Sequence, residues 1–424
     1  MIKILFKILI ISFFLIVSFV GYFSLIGFET KSFNKKIKEN LKNIDTKFDV
    51  KLNDVKIILD LFNLNINAKT LGPIISYDNK PIDIELIKSD ISLMNLLNKE
   101  FSLSNLFIST KSVKLKDFVA FYRAINNKKK TELFILENFI GKGYLIADIN
   151  INFDEKGKVK DDLEVNGLVR DSSLKLLNDR KIDNINFIFE IQNKDLDIND
   201  LNFTYEKLNF ISKKIELRIK DNFVNVEGEI NNNEVNLSEE LLNNFFNPSF
   251  NLNLKNLRFS SNNKFLFKIS DKFKILDYKI KSSLNINELS VRNNIDLKNI
   301  FPNFSSETKF NNHQIEMIVK KDYFLIDGNG EFLIQKNYDK ASYKIEKKKD
   351  THSFDIKLDF INNYVNLDLL DYKSDSKSEM SLYLNGKIFK DKTLNLEKIE
   401  FKNGSDLIII KKLKLSNDFK IHDV

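Results

Sequence analysis

The alternation of apolar and polar residues divides the chain into three zones. Ile8–Phe28 comes first, 21 positions without a formal charge, whose only polar groups are Ser12, Ser18, Ser24 and the Tyr22 hydroxyl. As a helix at about 1.5 Å per residue this run covers roughly 30 Å, the thickness of a bilayer's hydrocarbon core. In the second zone Phe33, Ile37, Leu41 and Ile44 recur at helical spacing, opposite Lys35, Lys36, Lys38 and Lys42. That predicts an amphipathic helix, which either caps a β core or lies on lipid. From Phe48 the period drops to two and stays there.

The period-two zone reads as antiparallel strands with one dry face. Its runs include Phe48-Val50-Leu52, Val55-Ile57-Leu59, Phe62-Leu64-Ile66, Ile82-Ile84-Leu86, Leu145 through Phe153, and Phe187-Phe189-Ile191. Later ones are Leu201-Phe203-Tyr205, Ile215-Leu217-Ile219, Phe265-Phe267-Ile269, Phe354 through Phe360 and Leu413 to Ile421. Short helices are expected at Met94–Leu97, at Phe118–Ile125 behind Asp117, and at Glu239–Phe246 between Ser238 and Pro248. About 25 strands at about 4.8 Å would make a sheet roughly 120 Å long. The final run has no closing element, so the sheet either stops there or the chain is a fragment. Alternation alone fits both an open sheet and a β-sandwich, since each has one dry face.

Composition narrows the chemistry. There are 424 residues with only 12 Gly and 4 Pro, so no flexible linker separates domains. The net charge of +7 comes from lysines interleaved with Asp and Glu along the whole chain, not from a basic arm, which argues against nucleic acid as a partner. With no cysteine there is no disulfide, thiolate metal site or cysteine nucleophile. His313, His352 and His422 are isolated and read as loop residues. Gly141-Lys142-Gly143 and Gly328-Asn329-Gly330 lack the third glycine and following helix of a phosphate cradle. The Asp195–Asp200 stretch reads as an acidic turn without a calcium loop's glycine. No catalytic or metal site is expected, no cofactor is called for, and the chain does not read as an enzyme.

The first zone reads as an uncleaved anchor rather than a cleaved signal, because it is long and no small-x-small site follows it. Lys3 and Lys7 precede it and Lys31, Lys35, Lys36, Lys38 and Lys42 follow, so charge counting alone would keep the body in the cytoplasm. Lysine is dense throughout the chain, which leaves that count undecided.

Residues 1–125 resemble the N-terminus of the AsmA-like family. A basic start and one apolar helix lead into an amphipathic helix and an alternating strand pair. The segment Ile91-Ser92-Leu93-Met94-Asn95-Leu96-Leu97, followed by Phe101, Leu103, Leu106 and Ile108, is similar to a family signature. Residues 145–237 are similar to the middle of longer AsmA/YhdP-type members, with strand pairs around Gly167 and Gly228. The resemblance implies a mainly β protein of the bridge-like lipid-transfer kind. In it one N-terminal transmembrane helix precedes a long curved antiparallel β-sheet, or groove, with a few short helices. It also implies anchoring in the inner membrane of a Gram-negative-type cell, the body in the periplasm, and a role in outer-membrane biogenesis. On this reading 1–7 is a cytoplasmic N-terminus, 8–28 the anchor, 29–45 a capping helix, 46–127 an AsmA-like β region and 128–424 its continuation, which either stops there or is truncated. The partners are a phospholipid or other acyl lipid, the membrane, and inner- or outer-membrane proteins. Candidate groove residues are Ile57, Leu59, Leu64, Ile66, Ile149, Ile151, Phe187, Phe189, Ile191, Phe203, Ile215, Leu217, Ile219, Phe267, Ile356 and Leu358. Anchor residues are Ile8, Phe13, Phe14, Phe19 and Phe28; Lys31, Lys35, Lys36 and Lys38 would face lipid headgroups. The competing expectations are a non-transporting envelope scaffold with a sandwich body and, more remotely, a tethered adhesin.

Overall fold

Most of the period-two runs become strands. The computed structural model describes residues 2–98, 100, 102–125, 130–176, 180–193, 195–220, 222–239, 241–242, 253–270, 272, 274–293, 296–360, 364–367, 372–374, 379–390, 393–416 and 421–423. Strand makes up 66% and helix 15%, and the strands pair antiparallel without closing into a barrel. The chain divides into two units: Met1–Tyr205 with Glu216–Arg218, and Glu206–Ile215 with Ile219–Val424.

In chain order the first unit contains α1 (Ile2–Leu25), β1 (Phe28–Thr30), α2 (Asn34–Ile44), β2 (Phe48–Lys51), β3 (Val55–Asp60), β4 (Asn65–Leu71), β5 (Ile74–Tyr77) and β6 (Lys80–Ser92). Then come α3 (Leu93–Leu97), β7 (Leu103–Thr110), β8 (Val113–Lys114), α4 (Leu115–Ile125), α5 (Lys130–Phe139), β9 (Ile140–Asn152), β10 (Glu164–Lys175), β11 (Lys181–Gln192) and β12 (Asp195–Tyr205). The ladder runs β1-β3-β4-β6-β7-β9-β10-β11-β12. Strands β2 and β5 extend from the first half of β6, and β8 pairs with β9. Register aligns Phe28, Ile57, Ala68, Ser89, Leu106 and Ile151 in one row, with Val55, Thr70, Ile87, Ile108, Ile149, Val165, Ile191 and Leu196 in the next. The opposite face carries Lys56, Lys69, Lys88, Phe107, Asn150 and Glu164. One face is apolar in these rows because the side-chain period is two and the registers that join them preserve it.

The leading helix differs from expectation at both ends. It begins at Ile2 and stops at Leu25, 24 residues in all, and Phe28 lies in β1 opposite Ile57 rather than in the helix. Gly27 is the cause. Its φ of +71° ends the helix, and Ile26 and Gly27 both donate their N–H to the Tyr22 carbonyl. Ser24 Oγ donates to the Leu59 carbonyl at 2.7 Å, so the last turn is fastened to β3 and leads into the sheet without a linker. A Cβ at Gly27 would sit 2.3 Å from the Ile57 carbonyl oxygen, whereas Gly21 has nothing within 4 Å. Gly27→Ala should therefore cost about 2–3 kcal/mol in denaturant melts of the detergent-held chain, while Gly21→Ala should be neutral or mildly stabilising. Counting residues whose side chains are described, no helix is long and apolar enough to cross a membrane. Ile8's side chain lies outside that set; Phe13, Phe14 and Phe19 are 60–64% exposed.

Other local departures have equally local causes. Ser92 caps α3, its Oγ accepting the Asn95 N–H. Leu64 sits in the turn between β3 and β4 at φ +51°, exposed, so Phe62-Leu64-Ile66 is not one strand. Ile82 and Ile91 share the single long strand β6. Helix α5 was not expected from periodicity. Asp195–Asp200 belongs to strand β12, where Asp200 at φ +52° bulges, and is not a turn. Phe101 and most of the helix expected at 239–246 lie outside the described residues.

Strand β13 (Leu208–Lys220) is shared out between the units. The second unit continues with β14 (Phe223–Ser238), β15 (Leu254–Ser270), β16 (Ile275–Arg292), β17 (Glu307–Lys320), β18 (Tyr323–Leu333), β19 (Tyr338–Lys348) and β20 (Thr351–Phe360). A small pair, β21 (Asn366–Leu367) and β22 (Tyr372–Lys373), precedes β23 (Met380–Ile388), β24 (Leu394–Asn403), β25 (Asp406–Leu415) and β26 (Ile421–Asp423). Apart from that pair, each strand from β15 onward lies beside its predecessor, β23 following β20. Leu284, Ile315, Gly328, Tyr343, Ile356, Leu384, Ile399 and Ile410 form one row. The opposite face presents Glu316, Asp327, Lys344, Asp355, Asn385, Lys398 and Lys411, a row of mixed charges.

Candidate functional site

The candidate site in each unit is the apolar face of its sheet. Three features of that face follow from residue types at fixed registers: what covers it, how level it is, and where it is interrupted.

Cover is partial. In the first unit the buried cluster Leu145, Ala147, Val169 and Phe189 is closed over by Leu115 and Phe118 of α4, and Ile82, Ile84 and Val113 by Phe118 and Phe121. Farther along the same face Ile57, Leu59, Ile66, Ile149 and Ile151 remain half-exposed. In the second unit Leu237 and Leu257 lie under Leu242, and Phe332, Phe360 and Met380 lie under Phe301 and Val365. Every cluster consists of neighbouring strands plus the connecting segments that cross them. Among the described residues none brings two sheets face to face, as a sandwich core requires.

The face is kept level by glycines set opposite rings. Register pairs Gly167 with Phe189, Gly228 with Phe265, Gly328 with Tyr343 and Gly386 with Phe354. A Cβ on these glycines would meet the facing ring at 2.4, 3.0, 2.7 and 2.8 Å, respectively. Each ring therefore lies across the backbone of its neighbour instead of standing up from the sheet. The result is a broad aromatic floor.

Of the residues expected to line a groove, Ile57, Leu59, Ile66, Ile149, Ile151, Phe187, Phe189 and Ile191 share the first unit's apolar face. Phe203 lies half-buried on β12, and Ile215, Leu217 and Ile219 alternate along β13, Ile219 half-exposed. Phe267, Ile356 and Leu358 share the second unit's face. Leu64 is the exception, in its exposed turn. Lys31 meets Asp54 at 3.7 Å, Lys35 meets Glu39 at 3.9 Å and Lys38 meets Asp49 at 2.8 Å; all are surface pairs of small energetic weight. The Lys36 side chain lies outside the described residues. Along α2, Phe33 and Ile37 remain 45% and 36% exposed, so this helix leaves much of its apolar face bare.

The histidines correct the expectation of exposed loops. All three lie on strands, and His313 is 4% exposed on β17. Its Nδ1 lies 3.1 Å from the Tyr343 hydroxyl and its Nε2 3.0 Å from the Glu331 carbonyl oxygen, while the ring stacks on Tyr343 and covers Gly330. Burial pushes its pKa below the ordinary imidazole value, outweighing the Glu331 carbonyl. The folded state thus binds fewer protons than the unfolded chain once pH falls below about 6.5. Stability should be full above that point and decline as pH drops toward the depressed folded value. His313→Gln should flatten this slope in urea melts taken between pH 7 and 5.

Among the described residues no group of three or more His, Cys, Asp or Glu could hold a metal ion. The acidic stretch at the start of β12 is occupied by Arg218, whose guanidinium pairs with Asp197 and Glu216. A depression of about 410 Å³ lies against Lys281, Ser283, Asn285, Glu316 and Asp327, side chains of the polar face, and gathers no catalytic constellation. Comparison with known proteins yields no matching family model, no matching curated protein and no matching solved structure.

Proposed function

We propose that this chain is a membrane-anchored β-groove protein whose apolar faces hold lipid acyl chains and pass them between inner and outer membrane, in support of outer-membrane biogenesis. The observation that carries the reading is the half-exposed apolar face of each unit, assembled over many strands and, within that unit's described residues, packed under no second sheet. In water such a surface is costly, and each buried methylene returns about 0.8 kcal/mol. A 16-carbon chain would gain on the order of 10 kcal/mol there. Rows of near-equivalent strands offer no single deep minimum, which suits movement as well as binding.

Helix α1 serves as the anchor in this reading. From Leu9 to Phe19 its large apolar side chains are 40–66% exposed, a surface that hydrocarbon accommodates and water does not. Because α1 is fastened to β3 without a linker, the anchor would fix the first edge of the sheet at the membrane. Placement of the body in the periplasm rests on the resemblance of the first 125 residues to the AsmA-like family. The test is direct: the full chain, purified in detergent, is extracted and its lipids identified by mass spectrometry. Near-stoichiometric or higher phospholipid supports the groove. Lipid-free protein that remains folded supports a non-transporting envelope scaffold instead.

A further inference from the structure

The second unit's sheet is polarised between its two rims. Antiparallel strands put alternate connections at opposite ends, so β15–β16, β17–β18, β19–β20, β23–β24 and the end of β25 share one rim. In the described residues of 268–275, 320–323, 347–352, 387–393 and 411–416 there are thirteen lysines and two acids, Asp322 and Asp350. Across the opposite rim, the described residues of 238–254, 292–307, 333–338, 360–380 and 403–406 hold four basic residues and five acids. A lysine-rich composition would load both rims alike. This one does not.

Burial follows the same axis. The side chains of Leu237, Leu242, Leu257, Phe332, Phe360 and Met380 are buried at the acidic rim under its connecting segments. At the lysine rim the turns are short and the apolar face beside them, from Phe267 and Ile280 to Val319 and Ile345, stays half-exposed. On β15 and β16 this open bay is broken by Asn263 and Ser282, which pair in register, and on β17 by His313, which lies opposite Ile286, four residues deeper along β16; each is seven residues in from its own strand's end at that rim, so the polar line is staggered. Seven residues at about 3.4 Å make the bay roughly 24 Å deep. Half of a bilayer's hydrocarbon core, the depth of one leaflet's chains, is about 15 Å.

From this coincidence of charge and exposure, in a bay longer than one leaflet's chains need, we infer that lipids on the second unit's face carry an anionic phosphate headgroup, held at the lysine rim. Their acyl chains run along the strands toward the polar line. The inference rests on the acyl-lipid reading above. Turns recur every second strand, at about 10 Å, so headgroups would be met one turn at a time. Lys272, Lys274, Lys321, Lys347 and Lys349 are exposed and make no ion pair among the described residues. A lysine near an anionic lipid surface contributes about a factor of five in binding.

The experiment titrates the full chain in nonionic detergent with phosphatidylglycerol or phosphatidylcholine of the same acyl chains, each carrying a diazirine at the chain end. Phosphatidylglycerol should bind at least about tenfold more tightly. The combined variant Lys272→Gln, Lys274→Gln, Lys321→Gln, Lys347→Gln and Lys349→Gln, checked for unchanged circular dichroism, should lose that preference and keep phosphatidylcholine binding. Photolabels from the chain ends should map near Phe265, Ile315 and His313, not to the turns. Equal affinity for the two lipids overturns the inference, as do a preference that survives in the variant, chain-end labels on the lysine turns, or displacement by inorganic phosphate. Should neither lipid label the face at all, the acyl-lipid reading itself falls.

Discussion

Phe360→Ala should destabilise the second unit by about 3–5 kcal/mol, the largest loss expected from one side chain in this protein. Phe360 is 2% exposed, with its ring centroid 5.7 Å from both Phe332 and Phe301. Met380 and Val365 complete the surround. Truncation removes the transfer energy of the ring and leaves a cavity that strands locked in a ladder cannot close. Against a typical domain stability of about 5–15 kcal/mol, that is a large fraction. Thermal unfolding should move down by roughly 10 °C. Phe360→Leu should recover more than half of the loss. A shift of a degree or two would mean that the capping segment is not packed as described.

Ile151→Glu combined with Ile356→Glu should strip co-purifying lipid from the chain while leaving it folded. Each residue is half-exposed at mid-strand on an apolar face, Ile151 beside Leu106 and Ile356 between Tyr343 and Leu384. A carboxylate there stays solvated in the empty protein, so stability should change little. An acyl chain lying over it would bury the charge, at about 2.5 kcal/mol or more, a factor above fifty for that site. Lipid measured by mass spectrometry should fall at least tenfold. Ser342→Glu, on the polar face opposite Lys357, should leave lipid content unchanged. Charging Phe189 would be a poorer probe, because that ring is buried over Gly167 and its loss would damage the sheet directly.

Much of the architecture was legible in the residues. Period two marks most of the strands, Phe62-Leu64-Ile66 being an exception, and the switch from an apolar run to helical spacing to alternation marks α1, α2 and β2 in order. The short helices at Met94–Leu97 and Phe118–Ile125 are legible from their apolar spacing, but their starts are not: α4 begins at Leu115, so Asp117 sits in its first turn rather than capping it, and Ser92 caps α3. What could not be read was set by register. Gly167 and Phe189 are 22 positions apart and Gly328 and Tyr343 only 15, so no spacing rule pairs a glycine with its ring. His313 looked like a loop residue because its neighbours Asn312 and Gln314 are polar. In the sheet they take the bulge and the polar face, while His313 turns inward to Tyr343. Hydropathy runs on through Gly27 to Phe28, whereas the positive φ at Gly27 that ends the helix leaves no mark in hydropathy. Alternation places most of the candidate residues on one side of their strands, Leu64 excepted, but gives no sign of whether a second sheet covers that side.

Single cysteines test that last point most directly, in a chain that contains none of its own. Placed one at a time at Asp148, Ile149, Asn150 and Ile151 of β9, they would be reacted with a charged maleimide in the delipidated full chain and again after phospholipid is added back. Lipid should slow the reaction at least tenfold at positions 149 and 151 and leave 148 and 150 unchanged. Equal protection on both parities, or cysteines at 149 and 151 that are unreactive without lipid, would contradict an open apolar face that acyl chains occupy.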